Sequence, residues 1–227
     1  MLHRFFLAGL LALGACASGE VSQPAAPKSA EPFLPDPRPM GSTLVYECLG
    51  YDFIARIGPG EMAVWLEDRY VILSQVRSAS GVKYQEGDII FWTKGDEATL
   101  FLGAQRYSDC QLAPGRAPWE DARRRGVDFR AVGNEPGWHL EIRDGGQILY
   151  VGDYGMNRIM TPDPGAEEVA SGRIYHAVTE ASELIVEIVD EACTDTMKGD
   201  SFPAQVNVTI NGKTLRGCGM ALDHPWQ

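Results

Sequence analysis

Between Ser42 and Leu112 no apolar or alternating run outlasts a short strand before a turn signal interrupts it. That cadence restricts this stretch to strands folded back on one another. β-like runs at Leu44–Cys48, Tyr51–Ile57, Met62–Leu66, Tyr70–Leu73, Ile89–Thr93 and Ala98–Leu102 are separated by turns such as Gly58-Pro59-Gly60 and Glu86-Gly87-Asp88. Several runs alternate, which buries one face and wets the other, as in a small antiparallel barrel or sandwich. About 70 residues is little for a core, and Cys48 and Cys110, near the two ends of the stretch, offer a staple where one is needed.

The other cysteines divide by place. His3 and Arg4 precede an apolar run from Phe5 to Leu13 and small residues before Cys16, a secretory pattern that assigns residues 1–15 to a signal peptide. The run is too short for a spanning helix, which needs about 20 apolar residues. Leu13-Gly14-Ala15-Cys16 resembles a bacterial lipobox, in which Cys16 carries lipid and attaches the protein to a membrane. Residues 16–41, rich in Pro, Ala and Ser, then read as a semi-extended tether. In an oxidising compartment the remaining four cysteines fall as Cys48 with Cys110 and Cys193 with Cys218, because crossed pairing would tie together halves that a linker separates. Each closed loop contributes about 3–4 kcal/mol through the unfolded state. Zinc fails on spacing: there is no C-x-x-C, and His3, His139, His176 and His224 are scattered. No metal and no cofactor is expected.

Residues 113–126 break the β cadence with Ala113-Pro114-Gly115-Arg116-Ala117-Pro118. Trp119 to Arg125 could add two helical turns, acidic early and basic late, so this reads as a connector. A second β-rich unit spans 127–227, with strands near Phe129–Val132, Trp138–Ile142, Ile148–Val151, Arg173–Val178, Leu184–Val189, Gln205–Ile210 and Thr214–Cys218. Asp144-Gly145 and Asn211-Gly212 both signal two-residue hairpin turns.

The formal net charge of −11 argues against nucleic acid as a partner and favours a basic one. Removal of residues 1–15, whose only charged side chain is Arg4, makes it −12. Ser80-Gly81-Val82-Lys83 matches the S-x-x-K pattern of penicillin-recognising enzymes, yet Gly81 and Val82 discourage the helix that chemistry requires, and no Ser-Asp-Asn or Lys-Thr-Gly follows. Read as a binder, the same residues suit loop tips: Gly81 and Gly95 permit sharp turns that expose Ser80 and Lys94.

Tyr46-Glu47-Cys48, Ser78-Ala79-Ser80-Gly81-Val82-Lys83-Tyr84, Phe91-Trp92-Thr93-Lys94-Gly95-Asp96-Glu97-Ala98 and Tyr107-Ser108-Asp109-Cys110 occur in order over about a third of the chain. Together they resemble the MliC/PliC family, the bacterial periplasmic inhibitors of c-type lysozyme. The resemblance implies a non-enzymatic protein whose residues 42–112 form an antiparallel barrel of about eight strands, and the strand runs of 127–227 add a second barrel-like or sandwich-like domain, so the whole reads as all-β. The resemblance further implies that Ser80 and Lys94 meet the catalytic aspartate and glutamate of the lysozyme, with Gly81 and Gly95 shaping the loops. Tyr84 would either anchor the first loop by packing or touch the enzyme's rim. Such lysozymes cut glycosidic bonds with one carboxyl protonated and one ionised, and an ammonium between the two offers charge-assisted hydrogen bonds. Their basic surface would attract an acidic inhibitor over long range. The anchored protein would then sit in the cell envelope, on the outer membrane facing the periplasm. The alternative is a non-inhibitory envelope-binding or scaffold lipoprotein.

The second unit carries Gly133-Asn134-Glu135-Pro136-Gly137-Trp138, then Cys193-Thr194-Asp195-Thr196-Met197-Lys198-Gly199, and closes on Gly217-Cys218-Gly219. This resembles an uncharacterised bacterial lipoprotein domain family, from which no activity follows. The residues allow two readings: loops shaped around a Cys193–Cys218 bond, or a ligand site lined by Glu135, Trp138 and Asp195.

Overall fold

The computed structural model describes residues 41–67, 69–94 and 97–223. The expected signal peptide, Cys16 and all but the last residue of the expected tether lie outside the described residues, as does Gly95. No helix among the described residues is long and apolar enough to cross a membrane.

Eight antiparallel strands close a barrel in simple up-and-down order: β1 Thr43–Cys48, β2 Tyr51–Gly58, β3 Glu61–Trp65, β4 Tyr70–Val76, β5 Val82–Glu86, β6 Ile89–Lys94, β7 Glu97–Leu102 and β8 Gln105–Leu112. Alternation along β6 shows why. Ile89 and Phe91 point into the core, whereas Ile90 and Trp92 face out. Inside, Tyr46 stacks on Phe53 with centroids 5.2 Å apart, and Phe91 meets both rings edge-on at 4.8 and 5.4 Å. Each fully buried side chain of this size contributes about 1.5–3 kcal/mol. Cys48 and Cys110 are bonded across the strands that close the barrel, β1 and β8.

Two of the eight strands escape the six runs read from the sequence. In β5 only Tyr84 is buried, and in β8 only Cys110 is, so neither shows the alternation that marks a half-buried strand. β8 is also irregular: its register against β7 shifts between Ala98 and Leu100, and Asp109 has a left-handed backbone with φ of 54°.

Helix α1, Ala117–Arg124, begins earlier than expected because Pro118 sits in its first turn, where a missing N–H costs nothing. Glu120 lies in the first turn and Arg123 and Arg124 in the last, matching the helix dipole. Buried Ala122 packs with Val127 and Leu222.

The second unit is one nine-stranded antiparallel sheet curled into a half-barrel. Its strands are β9 Phe129–Asn134, β10 Gly137–Arg143, β11 Gln147–Gly152, β12 Asn157–Pro162, β13 Glu167–Val169, β14 Gly172–Val178, β15 Glu183–Val189, β18 Ala204–Ile210 and β19 Lys213–Ala221. They run in the order β12-β11-β10-β9-β19-β18-β15-β14-β13. The short pair β16 Cys193–Thr194 and β17 Ser201–Phe202 forms a separate ribbon, and Cys193 is bonded to Cys218. Leu140, Ile142, Leu184, Val186, Val206 and Val208 fill the concave face. At Asn211-Gly212, φ values of 48° and 83° between paired Ile210 and Lys213 make the expected two-residue turn. At Asp144-Gly145 the expectation is corrected. Arg143 pairs with Gln147, so the loop has three residues, and only Gly145 of the dipeptide is left-handed, because Gly146 closes it by donating to the Arg143 carbonyl.

Candidate functional site

Antiparallel order puts the β4–β5 loop, residues 77–81, and the β6–β7 turn at the same end of the barrel. The register joins them: Val82 pairs with Thr93, so Gly81 comes beside the last residues of β6. Gly81 has φ of +68°, and a Cβ there would land on the Thr93 carbonyl oxygen and within 3.1 Å of the Lys94 Cα. Only glycine fits, for backbone conformation and close approach alike.

Two further contacts fix the loop. The Ser78 hydroxyl donates to the Gly81 carbonyl at 2.9 Å, and the Trp92 indole N–H donates to the Ser80 carbonyl at 2.9 Å. Neither residue was given a role from sequence. The available signal was an aromatic at an outward position of β6, where Trp92 stays 38% exposed. Ser80 and Lys94 are both exposed, and Lys94 stands opposite Glu97 in the ladder. A groove of about 410 Å³ on the outer wall beside them is lined by Arg77, Lys83, Trp92 and Phe101 among others.

Tyr84 is 5% exposed and belongs to the barrel core, and burial pushes its phenol above the ordinary value. Of its two expected roles, packing is where the side chain lies. α1 lies along β1 and β2: the Asp121 carboxylate accepts from Thr43 at 2.9 Å and from Arg56 at 2.6 Å, and just ahead of the helix Arg116 bonds Glu47 and Asp52, each at 2.7 Å. Strands β5 and β6 are across the barrel from that contact.

The second-unit candidates do not converge. Trp138 is 5% exposed and faces the concave core, lying over Gly133 and Gly217, where any Cβ would collide with its ring. Asp195 Oδ1 accepts from the backbone N–H of Met197 at 2.7 Å and of Lys198 at 3.1 Å, and from the Asn134 amide at 2.8 Å. Burial pushes this carboxyl up, but those donors and the nearby Lys198 charge outweigh it, so it lies below its ordinary value. Asp195 is therefore the hub of a turn. Glu135 is exposed at the tip of the β9–β10 hairpin. A cavity of about 560 Å³ takes Trp138 and Asp195 in its wall, and one of about 450 Å³ takes Glu135 and Asp195. Neither holds all three.

A closed eight-stranded barrel whose two motif loops are locked together at one end, with an exposed hydroxyl and an exposed ammonium, defines a small binding module. The chain belongs to the MliC family: the family model, described as membrane-bound lysozyme-inhibitor of c-type lysozyme, matches residues 49–109, and so covers Ser80 and Lys94. A relative from Escherichia coli strain K12, named membrane-bound lysozyme inhibitor of C-type lysozyme, is 35% identical over 73 residues, 31% of this chain and 67% of the relative. One of the same name from Pseudomonas aeruginosa strain PAO1 is 58% identical over 31 residues, 14% of this chain. The chain spans 24% of the length of the Pseudomonas protein. No solved structure matches the chain. The family match ends at residue 109, before α1 and the nine-stranded sheet.

Proposed function

We propose that this protein is a lipid-anchored inhibitor of c-type lysozyme, attached to the cell envelope through Cys16, whose barrel occludes the enzyme's cleft with Ser80 and Lys94. The observation that carries the reading is the join between the two loops. Gly81 rests on the Thr93–Lys94 backbone and Trp92 holds the Ser80 carbonyl, so the backbone that carries both side chains is already joined before binding. The Lys94 ammonium supplies donors to an ionised carboxylate, and the Ser80 hydroxyl donates to or accepts from its neighbour. No bond in the inhibitor is offered for cleavage, so occupancy alone stops the enzyme.

The test is protection of bacterial cell walls from a c-type lysozyme by the purified protein. Dose-dependent protection is expected, and Lys94→Ala should weaken it by about 2–4 kcal/mol, as for truncating a buried charge contact. Ser80→Ala should cost about 1–2 kcal/mol, one buried hydrogen bond. Full inhibition by Lys94→Ala would reject the mechanism, and no protection by the wild type would leave the scaffold reading.

A further inference from the structure

We propose, resting on the inhibitory reading above, that the outer wall of the barrel beside the two loops is a second contact for the lysozyme, taking a carboxylate at the rim of the cleft outside the catalytic pair. The groove there, about 410 Å³, is built on two rungs of the ladder: Lys83 pairs with Trp92 across β5 and β6, and Ile90 with Phe101 across β6 and β7. Their chain neighbours Tyr84, Phe91 and Leu100 fill the barrel, so these four side chains face out. Arg77, Ser78 and Ala79 complete the lining, and the last two lead directly into Ser80. A partner that reaches Ser80 is thereby brought to the mouth of the groove.

Charge gives the groove its chemistry. Arg77 and Lys83 line it, and no carboxylate stands among its described lining residues. Neither cation has an ion pair or a side-chain hydrogen bond with a described residue. Arg77 is exposed and Lys83 half-buried, so neither is shut off from a partner. The floor between them is apolar. Trp92 stays 38% exposed although its indole N–H is taken by the Ser80 carbonyl, and Ile90 is partly exposed beside it. Phe101 adds less, because the Arg106 guanidinium already lies 5.9 Å from its ring centroid. Unpaired cations over an apolar floor fit a carboxylate set among apolar side chains.

The sign of the charge separates a direct contact from a general field. The chain carries −11, and that acidity attracts a basic lysozyme over long range. Two cations beside the inserting loops oppose this attraction unless they meet carboxylates at short range. Long-range field and local contact therefore predict opposite effects for the same substitution.

The experiment is surface plasmon resonance of the purified protein over an immobilised c-type lysozyme. Arg77→Gln and Lys83→Gln should each weaken binding about twofold to fivefold, the range for a solvent-facing ion pair. Arg77→Glu combined with Lys83→Glu should weaken it about tenfold or more, with faster dissociation. Melting temperatures should not change, since neither side chain has a described partner to lose. As a control, Lys213→Glu alters an exposed cation of the nine-stranded sheet and should bind as the wild type does or associate faster. Wild-type or tighter binding by the doubly reversed variant overturns the groove contact and leaves inhibition by Ser80 and Lys94 standing. No binding by the wild type overturns both readings. Loss by that variant of binding to phosphatidylglycerol vesicles, with lysozyme binding intact, would assign the groove to a membrane surface and overturn the proposal as well.

Discussion

The barrel and the half-barrel are both antiparallel sheets with one disulfide, yet they solve opposite problems. The barrel closes on itself, so it has no free edge, and its short strands need only fill a small interior. The nine-stranded sheet stays open, with β12 and β13 as edges, and it buries part of its convex face as well. There Glu141, 4% exposed, takes a two-pronged pair from Arg125 at 2.9 Å on each arm and a further bond from Arg130. Arg125 also bonds Asp121 at 2.9 Å, which holds Arg56 and Thr43 of the barrel. The barrel thus closes its own ladder, while the open sheet is tied to it through an ionic relay whose inner end, Glu141 with Arg130, is buried. The lesson is that apolar filling holds the first unit and charge pairing holds the second to it.

The strongest test of that contrast is Glu141→Ala. Removing one partner from a buried pair leaves Arg130 uncompensated, and about 3–5 kcal/mol should be lost from the sheet by urea unfolding. Lysozyme inhibition by the folded fraction should persist. If inhibition fails at denaturant levels where the barrel strands still protect their amides from exchange, the units are not separable in function.

Next in size is the paired removal of the disulfides. Cys48 and Cys110 are 62 residues apart and Cys193 and Cys218 are 25 apart. Loop-closure entropy then gives about 4 kcal/mol for the first bond and about 3.5 kcal/mol for the second. Replacing the first pair with serine should abolish inhibition near the melting point of the barrel. Replacing the second should lower sheet stability with inhibition retained. Equal loss of inhibition from both would break the comparison.

The same contrast explains what the residues alone revealed. Strands that fill an interior announce themselves, as Phe91, Leu184 and Val186 do by alternating with less buried neighbours. Edge strands do not: β13 is Glu-Glu-Val, exposed throughout, and in β12 only Thr161 is buried. Ser80, Gly81 and Lys94 were legible as a motif, but the Trp92 contact to Ser80 depends on the register of β5 against β6, which no local pattern encodes. Likewise, a signature containing Asp195 reads as a site or as a turn, and the three hydrogen bonds that converge on its carboxylate come from groups that no local pattern brings together. Asp121 and Arg125 are an i,i+4 pair of the helix and its cap, but their bonds to Arg56 of β2 and Glu141 of β10 were illegible for the same reason.

The smallest expected effect is on pH, and it separates the units by sign. Burial, with the Arg130 charge adding to it, holds His139 of the sheet below its ordinary value of 6.5. The unfolded chain therefore takes up this proton first, and sheet stability begins to fall as pH drops below that value. Burial pushes Glu141 up, but its bond to Arg125 and the Arg130 charge outweigh that, so its folded value lies below 4.5. Its contribution is complete above 4.5 and is lost as pH falls through the lower folded value. In the barrel, burial raises the phenols of Tyr46 and Tyr84 above 10, so the unfolded chain releases those protons first and stability falls as pH rises past 10. Amide protection followed from pH 7 to 4 should accordingly decline first in β9 and β10 and later in β6 and β7. The reverse order would mean that the ionic relay is incidental to the stability of the sheet.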